Sequence, residues 1–184
     1  MNKIRVVLSL LLAFISIPLL SQTKNEIRVK VDGLGVDTVY LANYYGSKLF
    51  YNDTTISNSE GRFSFEGKPY DECGKYAIVL PGPVFFDFML VNEPMEFHTS
   101  IGNPQGAMQV IESDENKVFY DYLRFINGLR KKRAPYDAVL NDSTATSGSV
   151  NEAKEALAQM TSEVFEYQNS IIEDPKMYLF GKYL

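Results

Sequence analysis

The chain has 184 residues, 45% of them hydrophobic and 22% charged, which suits one packed domain and argues against a disordered chain. With one cysteine (Cys73), one histidine (His98) and no tryptophan, it excludes a zinc finger, an iron–sulfur cluster, a C-x-x-C redox pair and any intramolecular disulfide. Eighteen basic residues against 23 acidic ones give a net charge of −5, the wrong sign for gripping nucleic acid through its phosphates.

Residues 1–21 read as a secretory signal peptide. Lys3 and Arg5 give a positive start, residues 6–20 an apolar run, and Ser21 a small residue suited to a cut before Gln22. The run is shorter than the roughly 20 residues a membrane-crossing helix needs. No cysteine follows it that would carry a lipid. The expectation is an exported protein of the periplasm or cell envelope, with nothing spanning the membrane after cleavage. Removing residues 1–21 takes away Lys3 and Arg5 and no acid, so the net charge becomes −7.

Residues 25–112 follow a period of two, broken by turn residues at short intervals, which predicts antiparallel sheet. Ile27, Val29 and Val31 alternate with Arg28, Lys30 and Asp32, and Gly33 and Gly35 end that strand. Residues 38–45 are β-branched and aromatic. Asn52-Asp53 reads as a turn between short strands, and residues 58–61 as a hairpin loop leading to residues 62–66. After Gly74, a strand over 75–80 stops at Pro81-Gly82-Pro83. Residues 84–91, apolar except at Asp87, predict a central covered strand. Residues 95–100 and 107–112 complete the set, the last as an edge. Eight or nine short strands at this spacing favour a sandwich or a strongly curled sheet.

The period changes after Ser113. Ser113 followed by Asp114 and Glu115 predicts a helix start, with acids at the amide end of the dipole. Val118, Tyr122, Phe125 and Leu129 form its apolar stripe, and Arg130-Lys131-Lys132-Arg133 is expected to close it. Residues 141–149 read as a solvated loop. A second helix over about 150–173 carries Val150, Ala153, Leu157, Met160, Val164, Tyr167 and Ile171 at alternating spacings of three and four. That is a heptad seam, expected to pack on the first helix as an antiparallel hairpin. Asp174-Pro175 looks like the start of a third helix. Its apolar Tyr178, Leu179, Phe180, Tyr183 and Leu184 predict a continuation of the protein or a covering partner. The fold class expected is therefore α+β and mainly β: signal peptide 1–21, an antiparallel β-sandwich-like domain over 22–112, and a helical segment over 113–184.

Six segments together resemble a known module. They are residues 27–34 (IRVKVDGL), 37–42 (DTVYLA), 44–46 (YYG), 61–67 (GRFSFEG), 74–80 (GKYAIVL) and 113–120 (SDENKVFY). The chain resembles the N-terminal β-rich domain of unknown function, with its helical linker, of exported TlpA-like thiol–disulfide oxidoreductases of Gram-negative envelopes. The resemblance covers nearly the whole sequence. It implies a partner, a thioredoxin-like domain or protein that this module would position or serve. The shared motifs are structural, and the C-x-x-C of the thioredoxin-like part is missing, so no catalytic residue carries over.

No enzyme activity, cofactor or metal site is therefore expected. Cys73, beside Asp71 and Glu72 rather than beside cations, reads as an unreactive loop thiol. Asp87 is either a ligand-site acid or a carboxylate paired with Lys or Arg. His98 is out of phase with Phe97 and expected to face solvent. Glu93 and Glu96 lack a third acid at calcium-loop spacing. The triplets starting at Asp37, Asp53 and Asp142 look like short acceptor sites for O-glycans on exported bacterial proteins. The alternative function is a stand-alone periplasmic binding module for a glycan or peptide. It would use Tyr40, Tyr44, Tyr45 and Asp87, with Phe85 and Phe86 nearby.

Overall fold

The computed structural model describes residues 26–46, 48–65, 73–82, 84–177 and 179–184. The expected signal peptide lies outside them. Eight strands come first: β1 (Ile27–Asp32), β2 (Thr38–Tyr45), β3 (Lys48–Ile56), β4 (Arg62–Phe65), β5 (Gly74–Leu80), β6 (Val84–Leu90), β7 (Met95–Ser100) and β8 (Gln109–Glu112). Two helices follow, α1 (Asp114–Asn141) and α2 (Ser147–Ile172), then a single 3-10 turn at Phe180–Lys182.

The strands form two four-stranded sheets, ordered β4-β1-β7-β8 and β3-β2-β5-β6. The alternation read from the sequence sets their faces. In β1, Ile27, Val29 and Val31 are buried; in β7, Met95, Phe97 and Thr99 are buried. All of these but Thr99 share one apolar core with Leu41, Ile78, Phe86 and Phe88 of the second sheet. Phe97 meets Phe86 and Phe88 with ring centroids 6.2 and 5.5 Å apart, an aromatic cluster spanning both sheets. The opposite face of the first sheet is ionic. Arg28 binds Glu26, Glu96 and Glu112 at 2.9, 3.1 and 2.6 Å, tying β1, β7 and β8 together. His98 does not simply face water. It is half-buried and sits 2.9 Å from Asp32.

The α+β class holds, with corrections. Helix and strand are nearly equal, 38% and 34% of the described residues, rather than mainly β. The sheets are not wholly antiparallel, because β1 and β7 pair in parallel, Ile27 opposite Met95 through Asp32 opposite Ser100. A period of two is the same for either direction, so the pattern could not separate them. Asn52-Asp53 is no turn. Strand β3 runs through it, and Asn52 is an extra residue facing the Leu41/Ala42 step of β2. The Asn52 side chain accepts the backbone N–H of Asn43 at 3.0 Å, which supports the bulge. The turn at residues 58–61 closes no hairpin either, since β3 and β4 lie in different sheets.

Strand β6 is also not central. It is the edge of its sheet, covered by α1. Asn116, fully buried, accepts the N–H of Met89 and donates to the Met89 carbonyl, both at 2.8 Å. Tyr120 donates to the Asp87 carbonyl at 2.7 Å. Two side chains thus replace a missing neighbouring strand, which is how the edge becomes apolar on both sides. Ser113 caps the helix as expected, accepting the Asn116 N–H at 3.1 Å, and donates to Glu93 at 2.6 Å.

Helix α1 does not close at its basic run. It continues through Pro135 to Asn141, with no basic residue in its last turn. Pro135 and its neighbour one turn back, Lys131, are both exposed. The proline thus sits on the solvent side of the helix, where a carbonyl that loses its bond to the missing proline N–H costs less than in the core. Tyr122 and Phe125 meet Tyr167 of α2 at 5.9 and 4.8 Å between ring centroids, and Gln168 donates to the Tyr122 hydroxyl at 2.7 Å.

The third helix expected after Pro175 does not form. A turn and the short 3-10 segment replace it, and Leu179 and Phe180 are buried against the chain itself. The buried Glu115 carboxylate accepts the backbone N–H of Leu179 at 2.9 Å and that of Phe180. Phe180 packs edge-on against Phe119, centroids 5.2 Å apart. Of the apolar residues of this segment, the domain itself covers Leu179 and Phe180. Tyr183 remains exposed.

Candidate functional site

The second sheet turns a different face outward from the first. Along β2, Val39 and Leu41 enter the core, while Tyr40 and Tyr44 point the other way. Register places Ala42 opposite Ala77 of β5, and Ala77 opposite Asp87 of β6. Small residues in the middle of this face leave room for the longer side chains around them. Tyr44, Lys75 and Asp87 meet there.

The Tyr44 hydroxyl donates to Asp87 at 2.6 Å, and the Lys75 ammonium lies 2.8 Å from the other Asp87 oxygen. The same ammonium sits 4.8 Å from the centre of the Tyr44 ring. Asp87 is thus paired with a lysine, as one of the two sequence readings had it. Its side chain is 13% exposed against 34% for Lys75. Burial, followed by the hydrogen bond to Asp87, pushes the Tyr44 phenol well above the usual tyrosine range. The phenol therefore stays a donor to Asp87 at neutral pH, and the lysine and the aspartate balance each other's charge.

A cleft of about 510 Å³ lies alongside, lined in part by Asn43, Tyr44, Lys75 and the exposed Cys73. Tyr183 closes one side, its hydroxyl accepting the backbone N–H of Lys75 at 3.2 Å. The other expected ligand residues go elsewhere. Tyr40 stacks on Tyr51 at 4.8 Å, and the exposed Tyr45 meets Phe50 at 6.1 Å. Phe86 is in the core, and Phe85 is 43% exposed. Sequence reasoning named Tyr44 and Asp87 but missed Lys75 and Tyr183. Counting back from the turn at Pro81-Gly82 places Lys75 diagonally across from Asp87, which was the available signal.

Among the described residues, no three His, Cys, Asp or Glu side chains group closely enough to hold a metal ion. Among them also, no helix is long and apolar enough to cross a membrane. The chain matches no family model, and no curated protein matches it.

The raised phenols give a direct test. Tyr44 and the buried Tyr120, also pushed up mainly by burial, are expected to stay protonated well beyond the usual tyrosine range. A phenol whose native pKa is raised contributes its stability in full below the unfolded value of about 10, and that contribution fades as pH rises beyond it. Absorbance at 295 nm should therefore show a late tyrosine component accompanying alkaline unfolding, smaller by one phenol in Tyr44→Phe. Ionisation of Tyr44 with the exposed group would contradict its burial against Asp87.

Proposed function

We propose that the chain is a non-catalytic, exported accessory module that positions or serves a thioredoxin-like thiol–disulfide oxidoreductase in the cell envelope. In this reading the two sheets form a sandwich-like body and the two helices an antiparallel hairpin that acts as its connector. The observation that supports it most is the way the helices are keyed to the body. Asn116, Tyr120 and Glu115 are all buried and all bonded to backbone outside α1. A connector fixed at one end by backbone hydrogen bonds transmits orientation, which a flexible linker would not. The six sequence segments that resemble the accessory domain of TlpA-like proteins supply the identity of the partner. The lone exposed Cys73 gives the chain no dithiol of its own.

The test is titration calorimetry of the purified chain against a thioredoxin-like oxidoreductase from the same envelope, alongside an insulin-reduction assay. A saturable heat, with no reductase activity from the chain alone, is the expected result. Absence of binding to any such protein of that envelope would overturn the reading. The second reading, a stand-alone binder of a glycan or peptide, draws on the Tyr44–Lys75–Asp87 cluster and the Tyr40–Tyr51 stack. It would be favoured if Tyr44→Ala removed binding of a glycan or peptide while leaving the fold intact.

A further inference from the structure

A second cleft, about 860 Å³, separates α1 from the turn joining β7 and β8. Its volume falls in the range of small-molecule sites. Its charge is opposite to that of the chain. Arg124, Arg130 and Lys131 line it, and among the described residues no Asp or Glu does. Arg124 is shared with Asp121 at 2.7 Å. Arg130 and Lys131 have no acidic partner among the described residues. In a chain of net charge −5, three cations around one cavity mark a local reversal of potential.

The remaining polar lining is amide: Asn103 and Gln105 from the turn, Asn127 from the helix. Gln105 and Asn127 each carry a donor and an acceptor, matching a hydroxyl that does both, and Asn103, whose oxygen takes the Gly106 N–H, adds a donor. The turn wall is held in shape. Thr99 donates to the Pro104 carbonyl at 2.6 Å, Asn103 accepts the Gly106 N–H at 3.1 Å, and Ala107 donates to the Asn103 carbonyl at 2.9 Å.

Gly128 completes the cavity. It lies in the middle of α1, where glycine weakens a helix. Its φ is not in the left-handed region, and a Cβ added there would meet nothing within 4 Å. Neither packing nor backbone geometry within the chain asks for glycine at this position. What it provides is open space against the helix, in the cleft it lines.

We infer that this cleft binds an acidic saccharide, its carboxylate or sulfate held by Arg130 and Lys131 and its hydroxyls by the three amides. The inference does not rest on the accessory-module reading, and either can fail alone. Calorimetry on the folded chain would use an oligogalacturonate, a heparin-derived oligosaccharide, a neutral malto-oligosaccharide of equal length, a polyglutamate peptide and inorganic sulfate. Binding of at least one acidic saccharide in about the micromolar range is expected, with the two acidic probes separating carboxylate from sulfate recognition. The double variant Arg130→Gln/Lys131→Gln should weaken it by about tenfold or more, through loss of charge-assisted hydrogen bonds. Gly128→Ala should raise Tm, whereas Gly128→Phe should fill the cleft and remove binding. The inference is overturned if neither acidic saccharide binds, or if the neutral sugar, the peptide or sulfate binds as tightly. It is equally overturned if the double variant binds unchanged.

Discussion

Replacing Asn116 with alanine is expected to destabilise the protein by about 3–5 kcal/mol, because it strands two buried backbone groups at once. The N–H and carbonyl of Met89, a residue 1% exposed, both depend on the Asn116 amide. Water reaches neither, and β6 has no strand on that side. The Asn116 amide also donates to Ser113 at 2.8 Å, so the helix cap weakens with it. Urea unfolding should show a large fall in midpoint, and hydrogen exchange should show early loss of protection at the Met89 amide. A midpoint within experimental error of the parent would mean that α1 is not what closes this edge.

Gly61→Ala should be comparably damaging, for a different reason. Gly61 has φ +73°, and a Cβ there would lie 2.2 Å from the Val31 carbonyl oxygen and 2.9 Å from that of Leu34. Both obstacles are backbone, and Val31 also donates to the Gly61 carbonyl at 2.9 Å. Strand β1 would have to move away from the turn that feeds β4, at a cost of roughly 3 kcal/mol or more. Gly82→Ala is the control. Its φ is +78°, with nothing beyond its chain neighbours within 4 Å of the added atom, so the cost is the local one, about 1–2 kcal/mol for the left-handed backbone with the restriction before Pro83 added to it. Thermal unfolding of the pair isolates the close approach, and equal losses would refute it.

Much of the fold could be read from the residues because alternation and capping are local. Strands β1, β4 and β7 fall where Ile27, Phe63 and Phe97 set the phase. Ser113 begins α1, and residues 142–146 separate the helices. What escaped was pairing. No pattern within β1 says that it lies between β4 and β7, or that it runs parallel to β7. The apolar character of β6 was seen correctly and given the wrong cause, since a helix covers its edge where a strand was expected. Asn52 was misread because Asn favours turns and bulges alike, and only the partner strand decides. The third helix was expected from Asp174-Pro175; Asp174 does accept the Lys176 N–H, yet Glu115, 64 residues before Leu179, takes the amides of Leu179 and Phe180, and only a short turn forms. For the site, residue types nominated Tyr44 and Asp87 separately. Their contact, 43 residues apart in sequence, depends on the order of strands in the sheet.

The parallel pairing of β1 with β7 also sets an order of events in folding. The first strand cannot find this neighbour until its sheet-mate 68 residues later is available, as the Arg28–Glu96 separation shows. Every strand of the second sheet lies within that interval. The second sheet can assemble from near neighbours, whereas the first must close a long loop before its central contact repays the entropy. On a ribosome, strand β1 would therefore wait with β4 as its one available neighbour in the sheet, its other edge unpaired. Chaperone demand would be greatest in that interval, before the histidine-bearing strand arrives.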